Sequence, residues 1–423
     1  MDQPNTYSVG TYAIYMKVKD VDLTKFVHSF RITNTTNSIY PIVTFELNMN
    51  NTDLILQELF GQTKIECAIV LLGEDEAPKR VSKLNLFEIN SNLNLTPKTG
   101  NDAQNESKRQ VTSFVCMVVD CFTLMCKGLN ACWEEPASKT PLDILEQTFI
   151  ASGVPQDNMS FDKRGSNTDL ISQVLLPAMT VNQTISYVNE KYGLYQGPWF
   201  KFCHYDLINE KAILVLKDLN QAMNDNPLLT FYQLPSDVDQ QKSDEIFKAC
   251  SDEYHFYTKF PIQTINFPNS NIINFRYSKT QIIHPEDNLY ALHVTTMDDI
   301  AKEFPSSTNN KLQFFDFLKG IESRQCTGLK GFGYNKNAFT SRLASQIQNT
   351  FSIGIQVHHK LCIDYLIGIG CTCQFIPASI DYLSYAGNYI LKSSDVTFTR
   401  MGEQWETSCD VVLTRTTRSG VST

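Results

Sequence analysis

The stretch 351–414 constrains the fold more than any other part of this chain, because it reads as four β-strands in a fixed order separated by glycine turns. Phe351, Ile353, Ile355, Val357 and His359 alternate with Ser352, Gly354, Gln356 and His358, the period of a strand buried on one face. A near-continuous apolar run over 366–375 follows, entered through Gly368-Ile369-Gly370. Tyr385-Ala386-Gly387 turns the chain into a strand over 388–399 and Met401-Gly402 turns it again. A last strand over 405–414 sets Cys409, Val411 and Leu413 on one face. The pattern predicts a small meander barrel with Val396 and Phe398 inside it and Thr397 facing away.

The front of the chain carries six more strand candidates, at 7–18, 23–33, 42–48, 64–72, 81–90 and 111–125, a spacing that predicts a barrel or sandwich. Between them, 53–61 has the leucine spacing of a short helix ending at Gly61, and 95–108 is a polar loop. The run 134–139 reads as a polar linker, after which the period changes. Thr140 caps a helix with Pro141 at its first position, Asp143 in the capping box and Leu142, Leu145 and Phe149 on one face, and Gly153 and Pro155 stop it. Thr180 and Gln183 repeat the device for a second helix that presents Ile185, Val188 and Tyr192 and ends at Gly193. Strands over 199–205 and 212–217 then form a hairpin around Asn209-Glu210. The stretch 228–321 mixes helices at 244–249, 298–304 and 312–321 with strands at 256–267, 271–277 and 289–296, and a helix over 338–349 leads into the terminal block.

Composition narrows the function classes. A chain of 423 residues with 42% apolar content exceeds what one core usually serves, so two to four packed units are expected. Lys plus Arg number 36 against 45 Asp plus Glu, a formal charge of −9 with no basic block, which argues against a grip on the nucleic-acid backbone. No basic-then-apolar leader opens the sequence and no apolar run reaches membrane-span length, so assembly in a cytoplasm without a membrane partner is expected. The twelve cysteines then read as free thiols that pack like small apolar groups.

The candidate chemistry is weak throughout. His358, His359, Cys362, Cys371 and Cys373 cluster in sequence, but adjacent histidines on a strand face opposite ways and the cysteine pair lacks the two-residue zinc knuckle. Cys116, Cys121, Cys126 and Cys132 match neither a redox pair nor a metal ribbon and are expected to be packing residues. The glycine-rich 328–333 lacks the Lys-Ser/Thr ending of a phosphate loop. No Gly-X-Ser-X-Gly occurs, and the carboxylate pairs Glu134-Glu135 and Asp298-Asp299 fit a linker and a helix start. Trp199, Phe200, Phe202 and Tyr205 are expected in the core rather than on a sugar-stacking face. No catalytic, cofactor-binding or metal residue is predicted, and the oligomer-interface residues are left unassigned.

Three stretches carry a family resemblance. One is the terminal order ending in Gly387-Asn388-Tyr389-Ile390-Leu391-Lys392 and Trp405-Glu406-Thr407-Ser408-Cys409-Asp410. The second is the opening strand followed by Asp22-Leu23-Thr24-Lys25-Phe26-Val27-His28-Ser29-Phe30-Arg31. The third is Leu176-Pro177-Ala178-Met179-Thr180-Val181-Asn182-Gln183 before an aromatic strand. Together they cover most of the chain and resemble the baseplate hub proteins of contractile bacteriophage tails, the tail hub or spike-head family of contractile injection machines.

That resemblance implies an α+β fold of two tube-type antiparallel β-barrels joined by a mixed α/β middle domain. The implied divisions are an N-terminal barrel at 1–135, a middle domain at 136–227, a connecting segment with the edge of the second barrel at 228–337, and a C-terminal barrel at 338–423. It implies a structural, non-enzymatic homotrimer with a pseudo-sixfold ring, without cofactor or metal, in a virion tail baseplate assembled in the host cytoplasm. Its partners would be the tail tube protein, other baseplate proteins and a trimeric spike, with DNA only as transiting cargo. Residues 415–423 are too few for a fused piercing module, so a separate spike chain is expected. The competing readings are a tail-associated cell-wall or polysaccharide hydrolase, which would need a carboxylate pair in a groove, and a tail-fibre or receptor-binding adaptor, which would usually show short internal repeats.

Overall fold

A computed structural model describes residues 11–36, 38–49, 64–72, 77–94, 110–195, 199–218, 222, 225–233, 255–258, 264–266, 280–285, 292–295, 323–326, 351–357, 369–378, 383, 385–402 and 404–415. The expected helices at 53–61, 244–249, 298–304, 312–321 and 338–349, the strand at 271–277, the loop at 95–108, the glycine-rich 328–333 and residues His358, His359 and Cys362 lie outside them. No described helix is long and apolar enough to cross a membrane.

The first seven strands are β1 (Thr11–Val18), β2 (Val21–Asp22), β3 (Val27–Thr35), β4 (Ile42–Met49), β5 (Ile65–Leu72), β6 (Pro78–Asn94) and β7 (Gln110–Val118). They lie in the antiparallel order β2-β1-β5-β6-β7-β4-β3. Period-two alternation sends Phe30 and Ile32, Val43 and Phe45, and Phe114 and Cys116 into one core, where Phe45 and Phe114 stack at 5.0 Å between ring centroids.

The expected strand at 111–125 ends early. From Val119 the chain winds into α1 (Val119–Cys126), because Cys121, Leu124 and Met125 are the buried positions and their spacing is helical. The expected linker at 134–139 is also corrected: it is the second half of β8 (Gly128–Lys139). The helix α2 (Pro141–Ala151) follows, with the Thr140 hydroxyl accepting from the Asp143 amide as expected. Next come β9 (Met159–Phe161), β10 (Ile171–Thr180), which pairs with β8, and α3 (Val181–Tyr192), held by a complete Thr180–Gln183 capping box. The hairpin β11 (Trp199–Asp206) and β12 (Lys211–Asp218) extends by parallel pairing to β9. Phe202 and Tyr205 are buried, and half-buried Trp199 stacks on Tyr195.

The stretch after residue 228 holds more strand than the sequence suggested. It contains β13 (Leu229–Gln233), β14 (His255–Thr258), β15 (Thr264–Asn266), β16 (Thr280–Pro285), β17 (Leu292–Thr295) and β18 (Ser323–Cys326), of which β13, β16 and β18 have no counterpart in the sequence reading. The terminal block comprises β19 (Phe351–Val357), β20 (Thr372–Ile376), β21 (Gly387–Met401) and β22 (Gln404–Arg415). Val396, Phe398, Cys409, Val411 and Leu413 are buried and Thr397 is half-buried, which is the expected register.

The expected self-contained meander does not form. β19 pairs with β22 rather than β20, and β21 lies between β22 on one edge and β20 and then β3 on the other. A bulge between Leu391 and Ser393 makes the change of partner possible, and the Lys392 carbonyl there accepts from the Thr36 amide at 2.9 Å. The front and the end of the chain therefore share one sheet.

Eight consecutive strands in that sheet, β5-β6-β7-β4-β3-β21-β22-β19, are paired antiparallel throughout. Strands four places apart thus point the same way. Each half has a long hairpin at its middle, β6–β7 or β21–β22, and in each the first strand of the hairpin is bulged, at Glu88–Asn90 and at Leu391–Ser393. The sheet also rolls. β1 and β21 are six pairings apart, roughly 29 Å at about 4.8 Å per pairing if flat. Yet Tyr12 meets Phe398 with centroids 5.8 Å apart.

Candidate functional site

The rolled sheet buries one face and leaves the other to solvent across the join between chain ends. On β4 the outward positions are Ile42, Thr44, Glu46 and Asn48, and on β3 they are Ser29, Arg31, Thr33 and Thr35. The face continues through Ser393, Asp395, Thr397 and Thr399 of β21 to Glu406, Ser408, Asp410 and Val412 of β22. Hydroxyl groups dominate it. Its charges are the carboxylates Glu46, Asp395, Glu406 and Asp410, with Arg31 the one cation among these described positions.

Arg31, Asp395 and Glu46 are held in place. Arg31 donates from Nε and Nη2 to both oxygens of Asp395, and the Thr33 hydroxyl donates to Asp395 at 3.3 Å. The Asp395 hydrogen bond raises the Arg31 pKa further above its ordinary value. Asp410 stands directly across β22 from Asp395, and partial burial followed by repulsion from Asp395 raises its carboxyl pKa. The Ser29 hydroxyl donates to Glu46 at 3.0 Å. Chemically this is a polar wall with net negative charge.

The middle of the chain fixes the position of this wall. β7 pairs with β6 only from Leu86 onward, which leaves the earlier part of that β6 edge for the β11–β12 hairpin. The Lys83 amide donates to Glu210 and its carbonyl accepts from the Tyr205 hydroxyl, both at 2.8 Å. The Cys203 amide donates to the Ile39 carbonyl in the β3–β4 turn at 2.9 Å. On its other side the hairpin meets Gly370, which has φ +79° and sits so close that an added Cβ would fall 2.6 Å from the Phe202 ring.

A cleft of about 400 Å³ lies at that contact, lined by Phe161, Phe202, His204, Lys217 and Cys371 among others. Burial pushes the His204 imidazole down to about 4, against the opposing pull of Asp206. The Arg164 beside it is engaged by Asp162 and Asp225.

Of the cysteines weighed from sequence, Cys371 and Cys373 flank Thr372, half-buried and buried, and burial raises both thiol pKa values, Cys371 to about 12. Cys116 and Cys121 pack in the core as expected, but Cys126 is exposed, because it closes α1 on the side away from Cys121 and Met125. The sequence reading singled out neither Arg31 nor Asp395. Their pairing spans 364 residues, and no local pattern signals it.

No family model matches the sequence, and no curated protein matches it. Among solved structures, the tail protein from Neisseria meningitidis MC58 aligns over 96% of this chain and 97% of its own, with TM-score 0.53 and 11% identity. The 43 kDa tail protein of prophage MuSo2 from Shewanella oneidensis aligns over 96% and 97%, with TM-score 0.49 and 10% identity. A type VI secretion component from E. coli, described as structurally similar to T4 bacteriophage tail proteins, covers 96% of this chain and 79% of its own, with TM-score 0.43 and 10% identity. The first of these likenesses shows that the chain has the fold of a tail protein along nearly its whole length.

Proposed function

We propose that this chain is a structural hub subunit of a tail baseplate, and that three copies close into a ring whose inner wall is the polar face of the rolled sheet. The observation that carries this reading is the eight-strand antiparallel sheet, divisible into two four-strand units of the same direction, one centred on β6–β7 and the other on β21–β22. Three copies then supply six such units, which suits a sixfold tube on one side and a threefold spike on the other. Barrels near 1–135 and 338–423, with a middle domain at 136–227 and a connecting segment at 228–337, are the divisions this reading uses.

A wall rich in hydroxyls and carboxylates suits the passage of DNA, since cationic walls would hold phosphates. The partners in this reading are the tail tube protein, a separate trimeric spike and other baseplate proteins, the location is the virion tail, and the protein has no lytic activity. The fold of the Neisseria tail protein supports it.

Light scattering on the purified full chain is the test, with a trimer expected alone or on addition of the spike. A stable monomer in both conditions, or a hexamer, overturns the ring. Clearing of purified cell wall by the protein would favour the hydrolase reading instead.

A further inference from the structure

We infer that Asp395 masks Arg31, so that the described outward positions of β3, β4, β21 and β22 offer no free cation to a passing polyanion. This deepens the proposed hub reading by assigning a role to one residue on the wall.

Asp395 is placed where two charge effects act against each other. Asp395 sits directly opposite Asp410, and like charges in that cross-strand position repel. In return it gains a forked ion pair with Arg31, whose side chain is 52% exposed against 18% for Asp395. The two effects oppose one another. What the pairing does change is the availability of the guanidinium. Both Asp395 oxygens accept from it, in the forked geometry that a phosphate would otherwise use.

Position makes that matter. Thr397 lies across the strand pair from Arg31, Thr33 lies beside it, and the other charges among the described outward positions of β3, β4, β21 and β22 are carboxylates. Arg31 is therefore where a sliding duplex would be caught if the guanidinium were free. Asp395 closes that point locally, and Asp410 adds negative charge alongside without a bond of its own to Arg31, attracting it only through space.

The experiment compares the full-length protein with Asp395→Asn, Asp395→Ser, Arg31→Gln and the double variant Arg31→Gln/Asp395→Asn. Binding of a short labelled DNA duplex is followed by fluorescence anisotropy across a salt series, and light scattering is run on the same samples. Asp395→Asn and Asp395→Ser are expected to raise the association constant at low salt by about threefold or more. The log–log salt slope should steepen by roughly 0.9 for each freed Arg31 that touches a phosphate. The double variant should return to the wild-type level, and Arg31→Gln alone should bind no more than wild type.

Unchanged affinity in folded Asp395→Asn and Asp395→Ser overturns the masking. So does a gain that survives in the double variant, or a wild-type affinity that falls on Arg31→Gln. The duplex reads the wall whether or not the chains assemble. A monomer in light scattering therefore counts against the ring, and an unresponsive wall counts against the role of Asp395.

Discussion

Two joins hold this molecule together, and they are built differently. At the seam between β3 and β21 the two ends of the chain meet by backbone ladder, with Phe30 opposite Phe398 and Ile32 opposite Val396. At the β11–β12 hairpin the middle of the chain shares the buried core and meets both ends at individual contacts besides: Tyr205 and Glu210 on Lys83, Cys203 on Ile39 and Phe202 against Gly370. A ladder distributes its energy over apolar rows and tolerates change on its solvent face. Point contacts depend on individual atoms. The seam is expected to fail only when its core is emptied, and the hairpin when one atom is added or one proton is moved.

The largest effect tests the seam. Phe398 is fully buried and lies 5.8 Å from Tyr12 and 6.0 Å from Phe30 between ring centroids. Phe398→Ala should destabilise the chain by about 3 to 5 kcal/mol in urea unfolding, whereas Thr397→Ala, one position along on the wall, should stay within about 0.5 kcal/mol. The reverse order would mean that the strand register is wrong by one residue.

The hairpin is tested next by adding a single methyl group. Gly370→Ala puts a Cβ 2.6 Å from the Phe202 ring and also forces alanine to adopt φ +79°. Because Phe202 is only 1% exposed, it has little room to retreat. A loss of roughly 2 to 4 kcal/mol is expected. The paired change Gly370→Ala with Phe202→Leu should recover part of it. A neutral Gly370→Ala would show that the Gly370 turn does not bear on the hairpin.

Much of the seam's apolar content was legible locally, and its pairing was not. Alternation marked Val396 and Phe398 as inward, and the capping residues Thr140 and Thr180 marked their helices, because each signal lies within a few residues of its effect. Nothing near Asp395 says that its neighbour will be Thr33 on a strand from the other end of the chain. Strand pairing over that separation depends on the whole packed core. The helix α1 was hidden for another reason: Val119–Cys126 prolongs an apolar run, and a short buried helix and a strand look alike there. β8 was hidden by Glu134, Glu135 and Pro136, which read as a linker and yet lie in a paired strand. The wall was visible only as scattered hydroxyl residues until the pairing aligned them.

Acid should weaken the hairpin before the seam. His204 has a folded-state pKa of about 4 against 6.5 for an ordinary imidazole, with burial as the main cause. Between those values the unfolded chain holds a proton that the folded chain excludes, so stability is intact above about pH 6.5 and falls as the pH drops towards 4. The loss should reach about 1 to 3 kcal/mol, and His204→Gln should flatten the profile in that window. Equal acid sensitivity in wild type and His204→Gln would assign the loss to other groups.

The smallest effect has the opposite sign and sharpens the same contrast. Lys201 lies on β11 with its ammonium donating to the Ser186 hydroxyl at 2.7 Å and the Asn182 carbonyl at 3.3 Å, both on α3. Burial pushes its pKa down to about 8, with only a partial counter-pull from Glu190. At neutral pH the charged form is present in both the folded and the unfolded chain, so its desolvation acts as a standing cost to folding. Between about pH 8 and 10.5 the unfolded chain keeps a proton that the folded chain releases, and stability should rise with pH across that window. Lys201→Met keeps the apolar stem and removes the charge. It should therefore stabilise the protein by about 1 kcal/mol at pH 7, with the gain shrinking as the pH passes 8. Thermal unfolding of the two proteins at pH 7 and pH 9 measures it. A destabilised Lys201→Met at pH 7 would mean that the bonds to Ser186 and Asn182 outweigh the burial, and the hairpin would then be held by a polar contact on this side as it is at Lys83.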